Sequence, residues 1–489
     1  MKKTKIIKTV FLTGATGNMG WAGFQELYRQ KNKFNITVLA RPSKKNIRKL
    51  APYSSDPSVR IVWGDLTNYG DVLEGVKGAD YVLHVGGMVS PQADYYPEKT
   101  LKVNVAAAEN IVKAVLAQPD RDNIKVVYIG SVAQCGDRLA PVHWGRSGDP
   151  VYASDYDKYS VSKCVAEKIF TDSGLKWWVS LRQSGILYPG ILKNIDPIVF
   201  HVPVRGVLEW ATIEDSGRLL AHVCEDWVPD EFWNRFYNIG SGKQYRLTNY
   251  DFERRILSAL GMDIEKVFEP QWFATRNFHG MWYLDSDLLE SYLHFRENVP
   301  VDEYFRRLSS GLPWFYSLAR FVPSALVKAF LRPLTDVKDL GSHYWVRYDP
   351  EKVKSYYGSM EEYLGIKSWD QIRPGHMETD QETAERTGEA LRLNHGYDTS
   401  RPIYSLNREE IEAAACFRGG HFLGPEEKIG QKGAVFEWEC EHGHRFSASL
   451  EYVLLGGGWC GTCDLDNVRS HVTPKNRFIW QVLSGQCLE

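Results

Sequence analysis

The chain has 489 residues, of which 43% are hydrophobic and 25% charged, and its formal net charge is −2. This composition excludes collagen, coiled coil and bulk disorder, and it predicts a globular protein of about two to four domains. The near-zero charge provides no excess of cations to neutralise a phosphate backbone, so nucleic acid is not expected as a partner.

The eight cysteines are too few and too scattered for a disulfide framework, which predicts a reducing, cytoplasmic compartment. Lys8 interrupts the first apolar run and no small-residue cleavage site follows, so a secretory signal is not expected. No uncharged apolar run of about 18 residues occurs, so we expect no membrane span. The nearest run, Leu312–Leu334, carries three basic residues and is typical of an amphipathic surface helix, with an interfacial or lid segment as the alternative.

Short β-rich runs alternate with helical stretches over the first 200 residues, which predicts an α/β fold with a doubly wound parallel sheet of the Rossmann type. The predicted strands are Val10–Thr13, Ile36–Ala40, Val59–Trp63, Tyr81–Val85, Lys125–Ile129, Trp177–Leu181 and, further along, Phe236–Ile239. The predicted helices are Met19–Lys31, Asp71–Val76, Asn104–Leu116, Tyr159–Thr171, Asn249–Leu260 and Ser286–Leu293.

We expect four regions along the chain. Residues 1–310 form a coenzyme-binding part, to about residue 190, and a smaller α+β substrate part. Residues 311–372 form a helical extension and possible lid, and the polar residues 373–401 form a linker or solvated helix. Residues 402–489 form a small terminal module that carries five of the eight cysteines.

The segment Thr13–Gly20 follows the first predicted strand and has the spacing Gly-x-x-Gly-x-x-Gly. The glycines allow a tight turn, close approach to a pyrophosphate and close packing of the next helix, whose N-terminus favours negative charge. An ordinary strand-to-helix turn is the alternative. The loop residues expected to contact a dinucleotide are Gly14, Thr16, Gly17, Asn18, Met19 and Gly20.

Arg41, Ser43 and two lysines follow the second predicted strand. In proteins that bind a coenzyme without a 2′-phosphate, this place usually carries an Asp or Glu that binds the ribose 2′-hydroxyl. A guanidinium suits bidentate contact with a 2′-phosphate, so NADP(H) is favoured over NAD(H). The alternative is a solvated basic loop. After the third strand, Asp65 and Leu66 offer a carboxylate and a backbone amide near the expected adenine ring.

Tyr159 and Lys163 are four residues apart, so they lie on one face of a predicted helix. An adjacent cation stabilises a phenolate and lowers the phenol pKa, which makes a tyrosine a usable acid or base. Ser131 follows a buried-looking strand, where its hydroxyl could hold a substrate oxygen against Tyr159. A tyrosine and a lysine at this spacing, taken alone, would be interpreted as an exposed side-chain pair on a helix. The glycine loop and Ser131 favour instead a catalytic role for Tyr159 and Lys163.

These motifs together resemble the extended short-chain dehydrogenase/reductase family, also called the NAD-dependent epimerase/dehydratase family, over about residues 6–260. The resemblance implies that Tyr159 is the acid/base, that Lys163 lowers its pKa and holds the nicotinamide ribose, and that Ser131 orients the substrate oxygen. It also implies a homodimer built on the helices that begin near Asn104 and Tyr159. Further similar segments are Asp65-Leu66, Tyr81–Gly87, Asn104-Val105, Pro150–Glu167 and Leu181–Gly190.

The chain departs from the family pattern at three places. Val132 and Ala133 follow Ser131 where the family's dehydratases carry Asp-Glu, so dehydration is not expected. Cys135 replaces the aromatic residue of a Tyr-Gly pair, which would alter the substrate-facing wall, and Arg41 disfavours the tightly held NAD of the family's epimerases. We therefore predict an NADP(H)-dependent oxidoreductase that interconverts a secondary alcohol and a ketone, with a sugar-nucleotide epimerase or reductase as the alternative.

An aromatic-rich stretch lies in the predicted substrate part. It favours a pocket for a bulky molecule, such as a ring-shaped, sterol-like one. An aromatic subdomain core is the alternative, and Arg276 and Arg306 could instead meet a diphosphate. The residues of the stretch are Trp272, Phe273, Phe278, His279, Trp282, Tyr283, Tyr292 and Phe295.

Cys440, His444, Cys460 and Cys463 have the spacing Cys-x3-His-x15-Cys-x2-Cys, which is typical of a closed tetrahedral zinc site, with His442 as a substitute ligand. Four protein ligands predict a structural Zn²⁺ in a module that resembles a treble clef or zinc ribbon. A reduced, metal-free cluster is the alternative. Such a module also allows a different class of function, a coenzyme-binding sensor or adaptor, although acidic residues around it make nucleic acid an unlikely partner.

Overall fold

The computed structural model describes residues 7–191, 195–312, 320–466 and 472–487. Residues 313–319 of the predicted amphipathic segment lie outside this range. The strands are β1 Lys8–Thr13, β2 Phe34–Ala40, β3 Val59–Trp63, β4 Tyr81–His84, β5 Lys125–Ser131, β6 Trp144–Gly145, β7 Trp177–Gln183, β8 Ile186–Leu187, β9 Val207–Glu209, β10 Ala211–Thr212, β11 Arg235–Ile239, β12 Arg246–Thr248, β13 Trp282–Tyr283, β14 His421–Phe422, β15 Val435–Glu439 and β16 Arg445–Ser449. The α-helices are α1 Asn18–Arg29, α2 Lys44–Leu50, α3 Tyr69–Val76, α4 Gln92–Tyr95, α5 Pro97–Leu116, α6 Lys158–Thr171, α7 Ile213–His222, α8 Asn249–Ala259, α9 Ile264–Val267, α10 Ser286–Leu293, α11 Val301–Ser310, α12 Ser324–Leu331, α13 Ser342–Tyr348, α14 Pro350–Tyr357, α15 Met360–Gly365, α16 Gln381–Thr387, α17 Arg408–Phe417, α18 Gly461–Asp466 and α19 Arg477–Ser484.

Seven parallel strands form the central sheet in the order β11-β7-β5-β4-β1-β2-β3. Helices α1 and α7 pack together, as do α3, α5 and α6. Alternate residues along the strands belong to two separate hydrophobic cores. The predicted α/β, doubly wound fold is confirmed. The strand order reverses between β1 and β4, and in such sheets ligands bind at the carboxyl ends of the strands beside that switch point.

The predicted elements agree with the structure except at some ends. Helix α5 begins at Pro97, two turns before the predicted start at Asn104, because proline is well suited to the first turn of a helix. Strand β11 is the seventh strand of the sheet and pairs with β7. The two strands are distant in the sequence, so local sequence patterns do not predict this pairing. Among the described residues, none of the helices is both long and apolar enough to span a bilayer.

The extension after residue 310 shares a core with the predicted substrate part. Trp345 and Tyr357 are buried in one cluster with Trp272 and Phe273. Aromatic edge-to-face contacts within this cluster contribute beyond simple burial. The boundary predicted at residue 310 is therefore not a boundary between cores.

Residues 373–401, predicted as a linker or solvated helix, pack against the body of the protein. Ala384 and Ala390 are buried in a cluster with Trp144 and Trp282. His395 is also buried, and its Nε2 lies 2.8 Å from Asp149 Oδ1. The polar composition hid this packing because the buried residues, which also include Leu393, are scattered among charged ones.

The terminal region packs on α6, the helix that carries Tyr159 and Lys163. Lys168 donates to the Ser447 carbonyl at 2.6 Å, and Asp172 accepts from the Ser449 amide at 3.0 Å. None of the α6 residues is exposed. The predicted homodimer on α5 and α6 stays a prediction, and α6 has less free surface for it than the sequence suggested.

A buried ion pair joins the terminal region to the sheet. Arg182 of β7 donates to Glu167 of α6 at 2.7 Å and to the Gly456 carbonyl at 2.6 Å, and both side chains of the pair are at most 4% exposed. Breaking a buried pair leaves one charge without compensation. We expect Arg182→Met to lower the free energy of unfolding by about 3–5 kcal/mol in urea titrations. The matched control, Arg29→Met in an exposed pair, is expected to cost at most about 1 kcal/mol, and equal losses would contradict the assignment.

Candidate functional site

A continuous cavity of about 1300 Å³ opens at the carboxyl ends of β1, β4 and β5. One half is lined by the glycine loop, the end of β2 and the segment after β3. The other half is lined by residues from α8, α12 and the segment around Phe200. Its position at the switch point of the sheet is the one where doubly wound folds bind dinucleotides.

The glycine loop forms a cradle at the first half of this cavity. Gly14 has φ +71°, and a Cβ added there would lie 2.7 Å from the Gly86 nitrogen. A Cβ at Gly20 would collide with the Gly14 carbonyl oxygen. The loop therefore tolerates only glycine at these positions, which fits close approach to a pyrophosphate. The loop residues that line the cavity are the six predicted ones: Gly14, Thr16, Gly17, Asn18, Met19 and Gly20.

Arg41, Asp65 and Leu66 line the same half of the cavity. Arg41 is exposed, and its guanidinium has no hydrogen-bond partner among the described residues. Desolvation raises the pKa of Asp65, but hydrogen bonds from Thr67 and the charge of Arg41 outweigh it and hold that pKa below its usual value. Asp65 is thus an ionised acceptor beside a free guanidinium.

Asn104 of α5 links helix α6 to the loop after β4 by hydrogen bonds. Its Oδ1 accepts from the Met88 amide at 2.7 Å, and its Nδ2 donates to the Ser162 hydroxyl at 2.9 Å. A Cβ at Gly87 would lie 2.9 Å from Asn104 Oδ1. Gly87 therefore leaves room for the Asn104 side chain.

Ser131, Tyr159 and Lys163 all line the cavity, as the sequence predicts. Ser131 ends β5, and its hydroxyl accepts from the Ala133 amide at 3.2 Å. Asp157 caps α6 by accepting from the Ser160 amide at 2.8 Å, which fixes the start of the helix that carries the other two residues. Lys163 Nζ donates to the Ile129 carbonyl at 2.9 Å and lies 6.0 Å from the Tyr159 ring centroid.

The protonation of this group differs from the expectation. Desolvation raises the pKa of Tyr159 to about 12, while a hydrogen bond with Ser131 lowers it and nearby Asp157 raises it. Desolvation also lowers the pKa of Lys163 to about 8. Lys163 was expected to lower the pKa of the phenol; here the hydrogen bond with Ser131 lowers it, and desolvation outweighs that hydrogen bond. At neutral pH, Tyr159 is therefore in the proton-donor form.

The second half of the cavity has mostly apolar walls. Of the eight residues predicted to line a pocket, Phe278 and His279 do so, five lie in buried cores, and the partly buried Tyr292 packs against one of those cores. Arg276 pairs with Glu362, and neither Arg276 nor Arg306 is among the described lining residues. Cys135, expected at the substrate-facing wall, packs in a separate small core instead.

Several charged residues of the lining were missed by the sequence predictions, among them Arg138 and Glu253. Arg138 is 1% exposed, and it donates to the Cys135 and Pro150 carbonyls. Glu253 is 7% exposed on α8. The sequence could have indicated that Glu253 lines the cavity, because it is the acid nearest the apolar stripe of the predicted helix Asn249–Leu260. No local sequence pattern indicates this for Arg138.

The predicted metal ligands come together at the edge of the three-stranded sheet β14-β15-β16. Cys440 and His444 lie in the turn between β15 and β16, and Cys460 and Cys463 lie at the start of α18. The Sγ atoms of Cys440 and Cys463 are 3.8 Å apart. This separation is the about 3.8 Å that a tetrahedron with Zn–S bonds of about 2.3 Å requires. His444 Nδ1 lies 3.4 Å from Cys463 Sγ, so the four donors fit one ion.

The model of the NAD dependent epimerase/dehydratase family matches residues 10–181. Curated relatives include UDP-glucose 4-epimerases from Rickettsia bellii, 29% identical over 111 residues, and Rickettsia canadensis, 30% identical over 113 residues. Each match covers 22% of this chain and 32% or 33% of the relative. The chain thus spans about a third of the length of the relatives it matches.

A solved structure agrees with the fold over a longer stretch. A double mutant of the dTDP-glucose 4,6-dehydratase DesIV from Streptomyces venezuelae, with NAD bound, has a TM-score of 0.51 and 20% identity, and covers 67% of this chain and 100% of that chain. At this identity the likeness shows the fold alone. Residues 10–181 therefore match the NAD-dependent epimerase/dehydratase family, whose members are enzymes of the extended short-chain dehydrogenase/reductase type.

Proposed function

We propose that the chain is a nicotinamide-dependent enzyme that interconverts a secondary alcohol and a ketone. The observation that carries this proposal is the single cavity, which joins the glycine cradle to Ser131, Tyr159 and Lys163. The bound dinucleotide would supply or accept the hydride. The residues of the chain would position the substrate oxygen and move its proton.

In carbonyl reduction, Tyr159 donates its phenolic proton to the substrate oxygen as the carbon gains hydride. The raised pKa of Tyr159, to about 12, keeps this proton in place at neutral pH. The Ser131 hydroxyl donates a hydrogen bond to the same oxygen, and Lys163 holds the ribose hydroxyls of the coenzyme. In alcohol oxidation the proton moves the other way, so Tyr159 must first be deprotonated.

We favour NADP(H) as the coenzyme because Arg41 is exposed and free beside the cavity. Charge-assisted hydrogen bonds are worth about 1.5–3 kcal/mol, which corresponds to a factor of about 10–100 in affinity. We expect Arg41→Ala to raise the KM for NADPH by about that factor and to leave the KM for NADH unchanged in steady-state assays. The control is Arg48→Ala, an exposed arginine on the following helix α2. An equal effect of Arg41→Ala on both coenzymes would contradict the assignment.

The relatives make a sugar nucleotide the first substrate class to test. UDP-glucose 4-epimerases and a dTDP-glucose 4,6-dehydratase share either sequence or fold with part of this chain. Their names indicate epimerisation or dehydration at a hexose carried by a nucleoside diphosphate. Epimerisation or reduction of such a hexose would use the same Ser131, Tyr159 and Lys163.

The lining of the cavity favours a second candidate, a bulky molecule with a largely apolar body. The wall formed by α8 and α12 carries Phe252, Leu257 and Leu331, and neither of the two arginines suggested for a diphosphate lines it. Apolar walls with few polar groups are typical of sites for apolar ligands. This candidate is a net oxidoreductase rather than an epimerase.

A coenzyme-oxidation screen separates the candidates. NADPH and NADH would each be tested with keto-sugar nucleotides and with apolar ring ketones, and UDP-glucose would be tested for epimerisation without net coenzyme change. Turnover of one class and not the other selects that candidate. No turnover and no coenzyme binding would contradict the proposed function and favour the sensor or adaptor alternative.

We further propose that the four-ligand cluster holds a structural Zn²⁺ that stabilises the terminal region. Its support is the tetrahedral fit of the donors, which leaves no open position for a substrate. The ion would be bound by thiolates, which agrees with the reducing, cytoplasmic compartment predicted from the cysteine pattern.

A further inference from the structure

Helix α8 presents one stripe of side chains to the cavity. The residues that line it recur at spacings of three and one along the helix, as one face of an α-helix requires. Glu253 is the one acid on this stripe. The stripe consists of Asn249, Phe252, Glu253, Ile256, Leu257 and, just past the helix end, Leu260.

The Glu253 carboxyl has no hydrogen bond or ion pair within the described part of the chain, although it is 7% exposed. Buried carboxyl groups are normally paired, because an unpaired one loses its hydration without compensation. The charged side chains of the surrounding elements pair elsewhere: Arg254 with Asp251, Arg255 with Asp302, and Lys328 of α12 with Glu269. The carboxyl therefore faces the cavity as an unused hydrogen-bonding group in an apolar wall.

Glu253 is suited to a neutral partner. Desolvation raises its pKa to about 8, with no charged group contributing. Near neutral pH it is a carboxylic acid, which can both donate and accept a hydrogen bond. A hydroxyl or carbonyl on the ligand would satisfy it without burying a charge.

We propose that Glu253 is a specificity-determining residue that binds a second hydroxyl or carbonyl group of the substrate, distinct from the oxygen held by Ser131 and Tyr159. The substrate class is then an apolar body with two oxygen functions, of which one exchanges hydride. This inference rests on the proposed function for the role of the first oxygen. It adds a contact that selects among apolar alcohols and ketones.

The binding test uses a matched pair of ring ketones, dihydrotestosterone and its deoxygenated analogue androstanone, which differ by one hydroxyl. Calorimetric titration of the full chain with NADP⁺ present, which cannot reduce the ketone, should show tighter binding of the hydroxylated ketone by about threefold to tenfold, the worth of one neutral hydrogen bond. Glu253→Leu should abolish the preference, and Glu253→Gln, which keeps a donor and an acceptor, should preserve it.

Thermal unfolding of the same variants distinguishes binding from a structural role. Glu253→Leu removes an unpaired buried carboxyl, so its Tm should rise while its preference for the hydroxylated ketone is lost. A fall in Tm, or an unchanged preference in Glu253→Leu, overturns the proposal. If neither ketone is turned over but the preference is present and depends on Glu253, the proposed reaction fails and the contact stands.

Discussion

Replacing Tyr159 by phenylalanine is expected to lower kcat for carbonyl reduction by about 10²–10⁴-fold, the usual contribution of a general acid. The substitution removes the donated proton and keeps the ring, so coenzyme binding should be retained. Stopped-flow measurement of coenzyme oxidation and fluorescence titration of NADPH would give the two quantities separately. The rate of coenzyme oxidation should thus fall, while the affinity for NADPH should not change.

Tyr156→Phe is the matched control, because Tyr156 lies three residues earlier and is 49% exposed. Its removal should leave kcat unchanged. Wild-type activity in Tyr159→Phe would show that another group donates the proton. Loss of activity in both variants would instead indicate that the start of α6 had been disturbed.

The raised pKa of Tyr159 also sets a direction for the pH dependence. Carbonyl reduction needs the protonated phenol, whose pKa is raised to about 12 by desolvation. The rate of reduction should therefore not increase between pH 6 and pH 8, whereas the rate of alcohol oxidation should increase. A rate of oxidation that is independent of pH would contradict Tyr159 as the base.

Removal of the proposed zinc ion is expected to lower both the stability and the activity of the protein. Structural zinc ions contribute about 10–16 kcal/mol of apparent binding free energy in zinc-finger peptides, so loss of the ion should unfold the ligand turns. The terminal region holds α6 through Lys168 and Asp172. Cys460→Ser should therefore release zinc, lower the Tm and reduce activity together.

Zinc content by mass spectrometry and thermal unfolding would test this expectation. Cys487→Ser is the control, because Cys487 is an exposed cysteine that belongs to no group of candidate metal ligands in the described part of the chain. We expect one zinc per chain in the wild type and in the control. A Cys460→Ser protein with wild-type Tm, or a wild-type protein purified without zinc, would contradict the structural role.

The coenzyme half of the site could be predicted because its residues belong to local patterns. The glycine loop, Arg41 and Ser131 each follow directly from a strand end, and Tyr159 and Lys163 share one helical turn. The parallel sheet brings strand ends to one edge, so these short patterns meet in space. The metal ligands were predictable for the same reason, since each pair lies within one turn.

The substrate half could not be predicted to the same extent, because its wall depends on contacts between distant segments. Trp272 and Phe273 have the composition of a pocket lining, yet the extension after residue 310 buries them. Glu253 and Arg138 reach the cavity only through the packing of α8 and of the loop after β5. The polar stretch 373–401 was predicted as a linker or solvated helix because its few buried residues, Ala384, Ala390, Leu393 and His395, are scattered among charged ones.

Transfer of deuterium from the nicotinamide ring to the substrate carbon tests the central claim most directly. The full chain would be incubated with reduced coenzyme carrying deuterium at both hydrogens of the reactive ring carbon, so that transfer from either face is seen, and with the ketone or keto-sugar nucleotide selected by the screen. The cavity geometry predicts one deuterium on the product carbon in the wild type and none in Tyr159→Phe over the same time. Product formed without deuterium from the coenzyme would contradict hydride transfer in this cavity.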